Sequence, residues 1–328
     1  MPRFIAIGFL ALIIGCSPNG QTEVDTTSQP HSNADTSPAF AVEPFEIASL
    51  SISQLPYARV DPVSLEDDFP PDSEGVSMYE RNGTFYYHPV VLAQRGLELL
   101  ASYEINADPE YLDLAARHAN RLIAEADSID GALYFPYEFD FALHGREDAV
   151  LPAPWYSAMA EGQSLSLFVR LYAEFEDEKY LDAAHKTYAS FHRFRESGSE
   201  PWTVMVDDDG FLWLEEYPTD EADHHAFNGH MFAIFGLYDY FQATGEGLDE
   251  LRGALTTVLH YFDRFRNPDG ASFYELKYGV TDTKYHAIHI RQLKLLGDIT
   301  NDVRFLEMAD TLVCDLPPAP EDLAAVEC

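Results

Sequence analysis

The sequence predicts a mainly α fold, an α/α toroid of about four helical hairpins with short β-hairpin inserts lining its cavity. Three observations lead there. A helix–turn–helix pattern recurs along the chain, and each such pair buries one face only against its neighbours. Long aromatic, strand-like segments separate the recurrences. The chain has 328 residues, 46% of them hydrophobic and 23% charged, which describes a globular protein of one large domain or two average ones.

The recurrence can be read directly. "LLASYEINADPEYLDLAARHANRL" (Leu99–Leu122) is similar to "LFVRLYAEFEDEKYLDAAHKTYASF" (Leu167–Phe191) and to "LKLLGDITNDVRFLEMADTLV" (Leu293–Val313). A degenerate copy is "FAIFGLYDYFQATGEGLDELRGALTTVL" (Phe232–Leu259). Each is a helix, a short turn and an acidic start to a second helix. Copies spaced by roughly 60–70 residues imply stacked helical hairpins. The intervening stretches, Gly131–Trp155 and Trp202–Pro218, carry "ALYFPYEFDF" and "WTVMVDDDGFLWLEEYP". Inserts of this kind on one face suit a closed toroid rather than a decorated solenoid.

Ahead of the first helix, three segments are expected. Residues 1–16, "MPRFIAIGFLALIIGC", have a short positive start and an apolar run too short for a permanent membrane helix. The ending "IIGC" is similar to a bacterial lipobox, with Cys16 lipidated as the mature N-terminus. That predicts an exported, membrane-anchored lipoprotein, and Ser17 favours outer-membrane sorting. Residues 17–44 are rich in Ser, Thr, Pro, Asn and Asp and read as a flexible tether. Residues 45–328 are expected to form a single toroid domain. It opens on Ser77–His88, "SMYERNGTFYYH", where Asn82-Gly83 between aromatics signals a β-hairpin.

Charge narrows the partners. Lys and Arg number 20 against 56 Asp and Glu, a net −36, so nucleic acid and anionic membrane surfaces are excluded. Export would allow a disulfide between Cys314 and Cys328. No CxxC or Cys/His zinc spacing occurs, "GEG" at Gly245–Gly247 sits in a helix–helix turn, and "GQSLS" lacks the last glycine of a nucleophile elbow. No metal or cofactor is expected.

Three features carry chemistry. Tyrosine-rich loops at a cavity mouth suit sugar rings, which offer apolar faces and hydroxyls together. In "WLEEYP" (Trp213–Pro218), adjacent Glu215 and Glu216 on a strand would face opposite sides, one toward solvent. His224, His225, His230, His286 and His289 cluster in sequence and read as solvated or hydrogen-bonded rather than as metal ligands. The stretch Lys277–Lys294 holds Lys277, Lys284, Arg291 and Lys294 against Asp282 alone, either helix-end charge or a cationic pocket for an anionic group.

Ordered blocks resemble the D-glucuronyl C5-epimerases, enzymes that convert glucuronate to iduronate in heparan-type chains. "PWYSAMAEGQSLSLFVRLY" (Pro154–Tyr172) is similar to that family's Trp-Tyr-Ser-Ala-Met-Ala-Gln-Gly stretch. "EEYP" with "FNGHMFAIFGLYDY" resembles its Glu-Glu-Tyr-Pro and Leu-Asn-Gly-Phe segment. "FYELKYG" and "YHAIHIRQLKLL" resemble its Tyr-Asp-Leu-Arg-His and Tyr-His-Thr-Thr-His-Ile-Asn-Gln-Leu stretches. "HPVVLAQRGL" (His88–Leu97) resembles its Tyr-Pro-Ile-Gln-Ile-Ala-Gln-Tyr-Gly-Leu, so the likeness runs from about Tyr86 to Val313.

The resemblance implies an α/α toroid with catalytic Glu216, Tyr217, Tyr274 and Tyr285. It also implies substrate contacts from Lys277, Asn228, His286, His289, Tyr86, Gln94, Trp155, Tyr156 and Arg291. The substrate would be an unsulfated or lightly sulfated hexuronate polymer, and a homodimer is in keeping with the family. Two departures stand out. Lys277 replaces an arginine near the substrate carboxylate, keeping the charge but losing the bidentate fork. Asp282-Thr283-Lys284 replaces Arg-Trp-Asp. A β-sandwich of the animal enzymes has no room between Leu97 and Pro154.

The chemistry asks for the same residue types. C5 epimerisation removes a carbon-bound proton beside a carboxylate and returns one to the opposite face. Glu216 or Tyr217 is expected on one face and Tyr285 or Tyr274 on the other. A cation near a phenol would lower its pKa. The rivals are a uronate lyase, a glycoside hydrolase using Glu215 or Glu216 with Asp140, and a non-catalytic glycan-binding lipoprotein.

Overall fold

The computed structural model describes residues 38–220 and 223–319. The expected leader, the lipidated Cys16 and the Cys314–Cys328 pairing involve residues outside these. Among the described residues eight α-helices pair into four hairpins: α1 (Pro89–Asn106) with α2 (Pro109–Glu125), α3 (Ala158–Phe175) with α4 (Glu178–Ser190), α5 (Phe227–Thr244) with α6 (Leu248–Phe265), and α7 (Thr283–Thr300) with α8 (Val303–Asp315). This is the α/α toroid the sequence predicts.

One local device builds three of the four hairpins. A left-handed residue ends the first helix: Ala107 at φ 55°, Glu176 at 52°, Asn301 at 51°. The next residue is an aspartate whose carboxylate caps the second helix, Asp108 accepting from Glu110 N, Asp177 from Lys179 N and Asp302 from Arg304 N. In the degenerate copy Gly245 and Gly247 take the left-handed positions instead. The repeat seen in the sequence is this turn.

Helices α1, α3, α5 and α7 pack side by side as the inner layer, with the even-numbered helices outside. The innermost of them, α5, is enclosed nearly all round and buries every residue from Phe227 to Tyr240. Helices α3 and α5 approach closely through glycine, for a methyl on Gly162 would lie 2.5 Å from the Ala233 Cα. Farther along the same pair, Arg170 grips Asp239 with Nε and a second nitrogen at 3.0 and 2.8 Å.

The connections at one end of the inner helices carry four two-stranded antiparallel sheets. They are β1 (Tyr79–Arg81) with β2 (Thr84–Tyr86), β3 (Asp127–Ile129) with β4 (Ala132–Tyr134), β5 (Phe141–Ala142) with β6 (Val150–Leu151), and β7 (Val204–Val206) with β8 (Leu212–Leu214). Asn82 at φ 53° and Gly83 at φ 78° turn β1 into β2, as the Asn-Gly signal predicts.

Packing begins earlier than expected. The tether was predicted to run through residue 44, yet Phe40 stacks on Phe194 and abuts Gly253, and Glu43 N–H donates to Thr256. From there the chain crosses the other ends of the inner helices. Ala48 N–H donates to Ile299 O, Leu50 N–H to the Tyr238 hydroxyl and Val63 N–H to Ser102 Oγ. Phe40 belongs to a short apolar stretch, Ala39–Val42, that the polar composition of the segment before it concealed. Among the described residues no helix is long and apolar enough to cross a membrane.

Candidate active site

All four inner helices start in one place. A second aromatic core, separate from the main one, holds Tyr137, Phe139, Trp155, Tyr217 and Tyr274. It also takes Ala160 from the start of α3 and Ala226 just before α5. Val90 of α1 and Tyr285 of α7 pack against it. The positive ends of four helix dipoles therefore meet around this cluster, a favourable field for an anion.

Glu216 and Tyr217 follow β8, in the connection between α4 and α5. Tyr274 comes from the α6–α7 connection and Tyr285 from the first turn of α7. The fold brings these four into contact. The Tyr274 hydroxyl lies 2.9 Å from Glu216 Oε1 and 2.8 Å from the Tyr217 hydroxyl, and the Tyr274 and Tyr285 rings meet edge-on at 4.5 Å. Glu216 Oε2 is buried without a hydrogen-bond partner among the described residues. Gly229, in the first turn of α5, presses on the Glu216 side chain so closely that a methyl there would collide with its carboxylate.

The expectation that one of the paired glutamates faces solvent is corrected: Glu215 is 1% and Glu216 8% exposed. The strand ends at Leu214, so alternation no longer applies to them. Glu215 is engaged within the fold, its Oε1 2.5 Å from His225 Nδ1 and its Oε2 accepting the His225 N–H. Only Glu216 faces the phenols.

Electrostatics divide the cluster. Burial pushes the Glu216 carboxyl up to about 7, against the neighbouring phenols of Tyr217 and Tyr274, which favour its ionised form. Burial and the Glu216 charge raise Tyr217 and Tyr274 well above the ordinary phenol range, and push Tyr285 to about 12. The expected cation-lowered phenol is therefore corrected, because among the described residues no cation touches the four.

The remaining predicted residues scatter. Tyr86 packs edge-on against Phe139 at 5.2 Å, and Trp155 stacks on Tyr137 at 3.7 Å while its Nε1–H donates to Phe139 O; both border the cluster. Asn228 is buried beside Gly229, its Oδ1 unpartnered among the described residues. Lys277 is exposed, with Nζ 5.2 Å from the Tyr278 ring centre. It lines a groove of about 770 Å³ together with Trp155, Tyr156, Trp202, His224 and Tyr278. The Tyr156 hydroxyl donates to Asp127. Gln94 is half-buried on α1, outside the cluster.

Three of these assignments are corrected. His286 and His289 are fully buried structural groups rather than substrate contacts. The first binds Ser272 N–H through Nδ1 and Leu316 O through Nε2, and the second binds Ser272 Oγ. Arg291 lines a different cavity, of about 300 Å³, with Tyr57, Phe232 and Lys294. The basic stretch therefore forms no single pocket, because Lys277 lies on the α6–α7 connection while Arg291 and Lys294 sit more than two turns into α7. Asp140, the hydrolase candidate, is exposed and accepts the Ala153 N–H.

Sequence reasoning missed His144, on the loop between β5 and β6. It packs edge-on against Tyr274 at 5.7 Å, with Nε2 3.7 Å from Glu275 Oε1. It also missed Glu161, fully buried in the first turns of α3, with Phe135 N–H 3.3 Å from Oε1. For Glu161 a signal existed: an acid stands where the similar family stretch has glutamine.

The profile described as D-glucuronyl C5-epimerase C-terminus matches residues 130–312, which include Glu216, Tyr217, Tyr274 and Tyr285. The chain belongs to this epimerase family. The match begins downstream of His88–Leu97, so that upstream block lies outside the matched residues. A D-glucuronyl C5-epimerase of Caenorhabditis elegans is 30% identical over 181 residues, covering 49% of this chain and 29% of the relative. The chain thus spans less than a third of that epimerase's length. Among solved structures, an unsaturated glucuronyl hydrolase from Bacillus sp. GL1 superposes with a TM-score of 0.50 at 16% identity, over 70% of this chain and 62% of the hydrolase. At that identity the likeness concerns the toroid alone.

Proposed function

We propose that this epimerase-family chain interconverts D-glucuronate and L-iduronate units within a heparosan- or heparan-type polysaccharide. The observation that carries the reading is the contact between Glu216, Tyr274, Tyr217 and Tyr285 where the inner helices begin.

Glu216 is the base. It is the one group of the four whose pKa, about 7, leaves it both ionised in part and basic enough near neutrality. It takes the C5 proton, and the electron pair of that bond moves into the neighbouring carboxylate of the sugar. The dipoles of α1, α3, α5 and α7 and the donors around the cluster offset the negative charge that develops there. Tyr285 is the acid. Its hydroxyl makes no hydrogen bond among the described residues, whereas those of Tyr217 and Tyr274 are tied to each other. It donates to C5 from the opposite face, solvent reprotonates the phenolate, and Glu216 returns to solvent the proton it took. Tyr217 and Tyr274 orient the base. Lys277, on the groove wall, attracts the acidic polymer.

The test is incubation with unsulfated heparosan-type polymer in D₂O. Deuterium at C5 of an intact chain is the expected result. Ultraviolet-absorbing unsaturated ends would make the protein a lyase, and new reducing ends without that absorbance a hydrolase. Binding without exchange would leave a glycan-binding module.

A further inference from the structure

The β1–β2 hairpin holds a cation at the edge of the aromatic cluster that the proposed reaction does not use. Strand alternation puts Tyr79 and Arg81 on one half-buried face, with Tyr86 opposite Tyr79, while Glu80 and Phe85 face outward. The Arg81 guanidinium lies over two rings, 5.2 Å from the centre of Phe139 and 5.7 Å from that of Phe141. Phe141 in turn stacks on Tyr217 at 5.9 Å. One ring therefore separates Arg81 from the catalytic phenols.

Arg81 has no carboxylate or carbonyl partner among the described residues. In a chain with 56 acidic and 20 basic residues, that is a departure. Arg95, Arg121, Arg170, Arg266 and Arg304 all hold carboxylates. The two rings lie against the guanidinium, and its N–H groups, with no carboxylate or carbonyl on them among the described residues, are suited to take a carboxylate through two parallel bonds. The hydroxyls of Tyr79 and Tyr86 also make no hydrogen bond among the described residues, and they suit the hydroxyls of a sugar.

We propose that Arg81, flanked by Tyr79 and Tyr86, forms a subsite for the acid group of a sugar lying beside the unit that reacts. The inference rests on the polymer reading above, since only a chain with recurring acid groups presents one here and another at Glu216. A carboxylate and a sulfate share the required chemistry.

Arg81→Gln and Arg81→Lys decide the matter, with melting curves checking that each is folded. Each protein is titrated with equal-length uronate–hexosamine oligosaccharides in unsulfated, N-sulfated and carboxyl-reduced forms, and C5 exchange is measured on the first two. Loss of a charge-assisted bidentate pair should weaken binding and raise KM by about tenfold or more in Arg81→Gln. Arg81→Lys should recover part of this. A loss on unsulfated chains that vanishes on carboxyl reduction identifies a carboxylate; a loss confined to N-sulfated chains identifies a sulfate. Equal affinity of wild type and Arg81→Gln for both acidic forms overturns the subsite, and normal wild-type exchange would then leave the proposed function standing. Absence of wild-type exchange with a persisting Arg81 effect on binding would refute the epimerase reading and keep the subsite.

Discussion

Tyr274 donates its phenolic hydrogen to Glu216 Oε1 across 2.9 Å, although 58 residues separate them in the chain. One carboxylate oxygen is thereby fixed, while Oε2 stays unpartnered among the described residues. A carboxylate held by one oxygen has the other in which to receive a proton.

Activity should therefore follow the ionisation of Glu216. With that carboxyl raised to about 7, kcat/KM is expected to climb as pH rises through this value and then level off. No descending limb from Tyr285 is expected at ordinary pH, because that phenol is held near 12. Glu216→Gln should lower the exchange rate by about 10²–10⁴-fold or more and abolish the ascending limb.

Tyr285→Phe should lose most C5 exchange while oligosaccharide binding persists, because the hydroxyl acts on the reacting carbon. Tyr217→Phe should be milder, since its hydroxyl reaches Glu216 through Tyr274. Full exchange in Tyr285→Phe would remove it from the reaction.

Glu161 should show in stability. Burial raises its carboxyl from 4.5 to about 8, so the folded chain keeps a proton that the unfolded chain has lost between those values. Stability then falls as pH rises across that window, by up to about 1.4 kcal/mol per pH unit for one proton. Glu216 adds the same sign up to about 7. Glu161→Gln should flatten the fall, measured by denaturant unfolding between pH 5 and 9.

The α3–α5 crossing has no room for a side chain. Gly162→Ala would set a methyl 2.5 Å from the Ala233 Cα, and backbone on both sides prevents relief. A loss of about 1–3 kcal/mol is expected from such overpacking, read as a lower melting temperature.

The helices were legible because one turn recurs: an aspartate after a left-handed residue appears as "AD", "ED" and "ND" at matching places. Glu216, Tyr217, Tyr274 and Tyr285 were legible only as family motifs, for nothing in their spacing foretells the shared contact. His286 and Arg291 misled because proximity in sequence is not proximity in space; about 1.4 turns of α7 carry the second to another cavity. Arg81 and His144 were invisible because their partners come from other loops.

The inner helices all point one way, and rods of aligned dipoles laid alongside one another repel. The antiparallel partners α2, α4, α6 and α8 offset that repulsion in part, and what remains is concentrated at the end where α1, α3, α5 and α7 begin. A guest carrying negative charge relieves it, so occupancy and heat resistance are coupled, and short acidic sugars should raise the melting point in proportion to how well they bind.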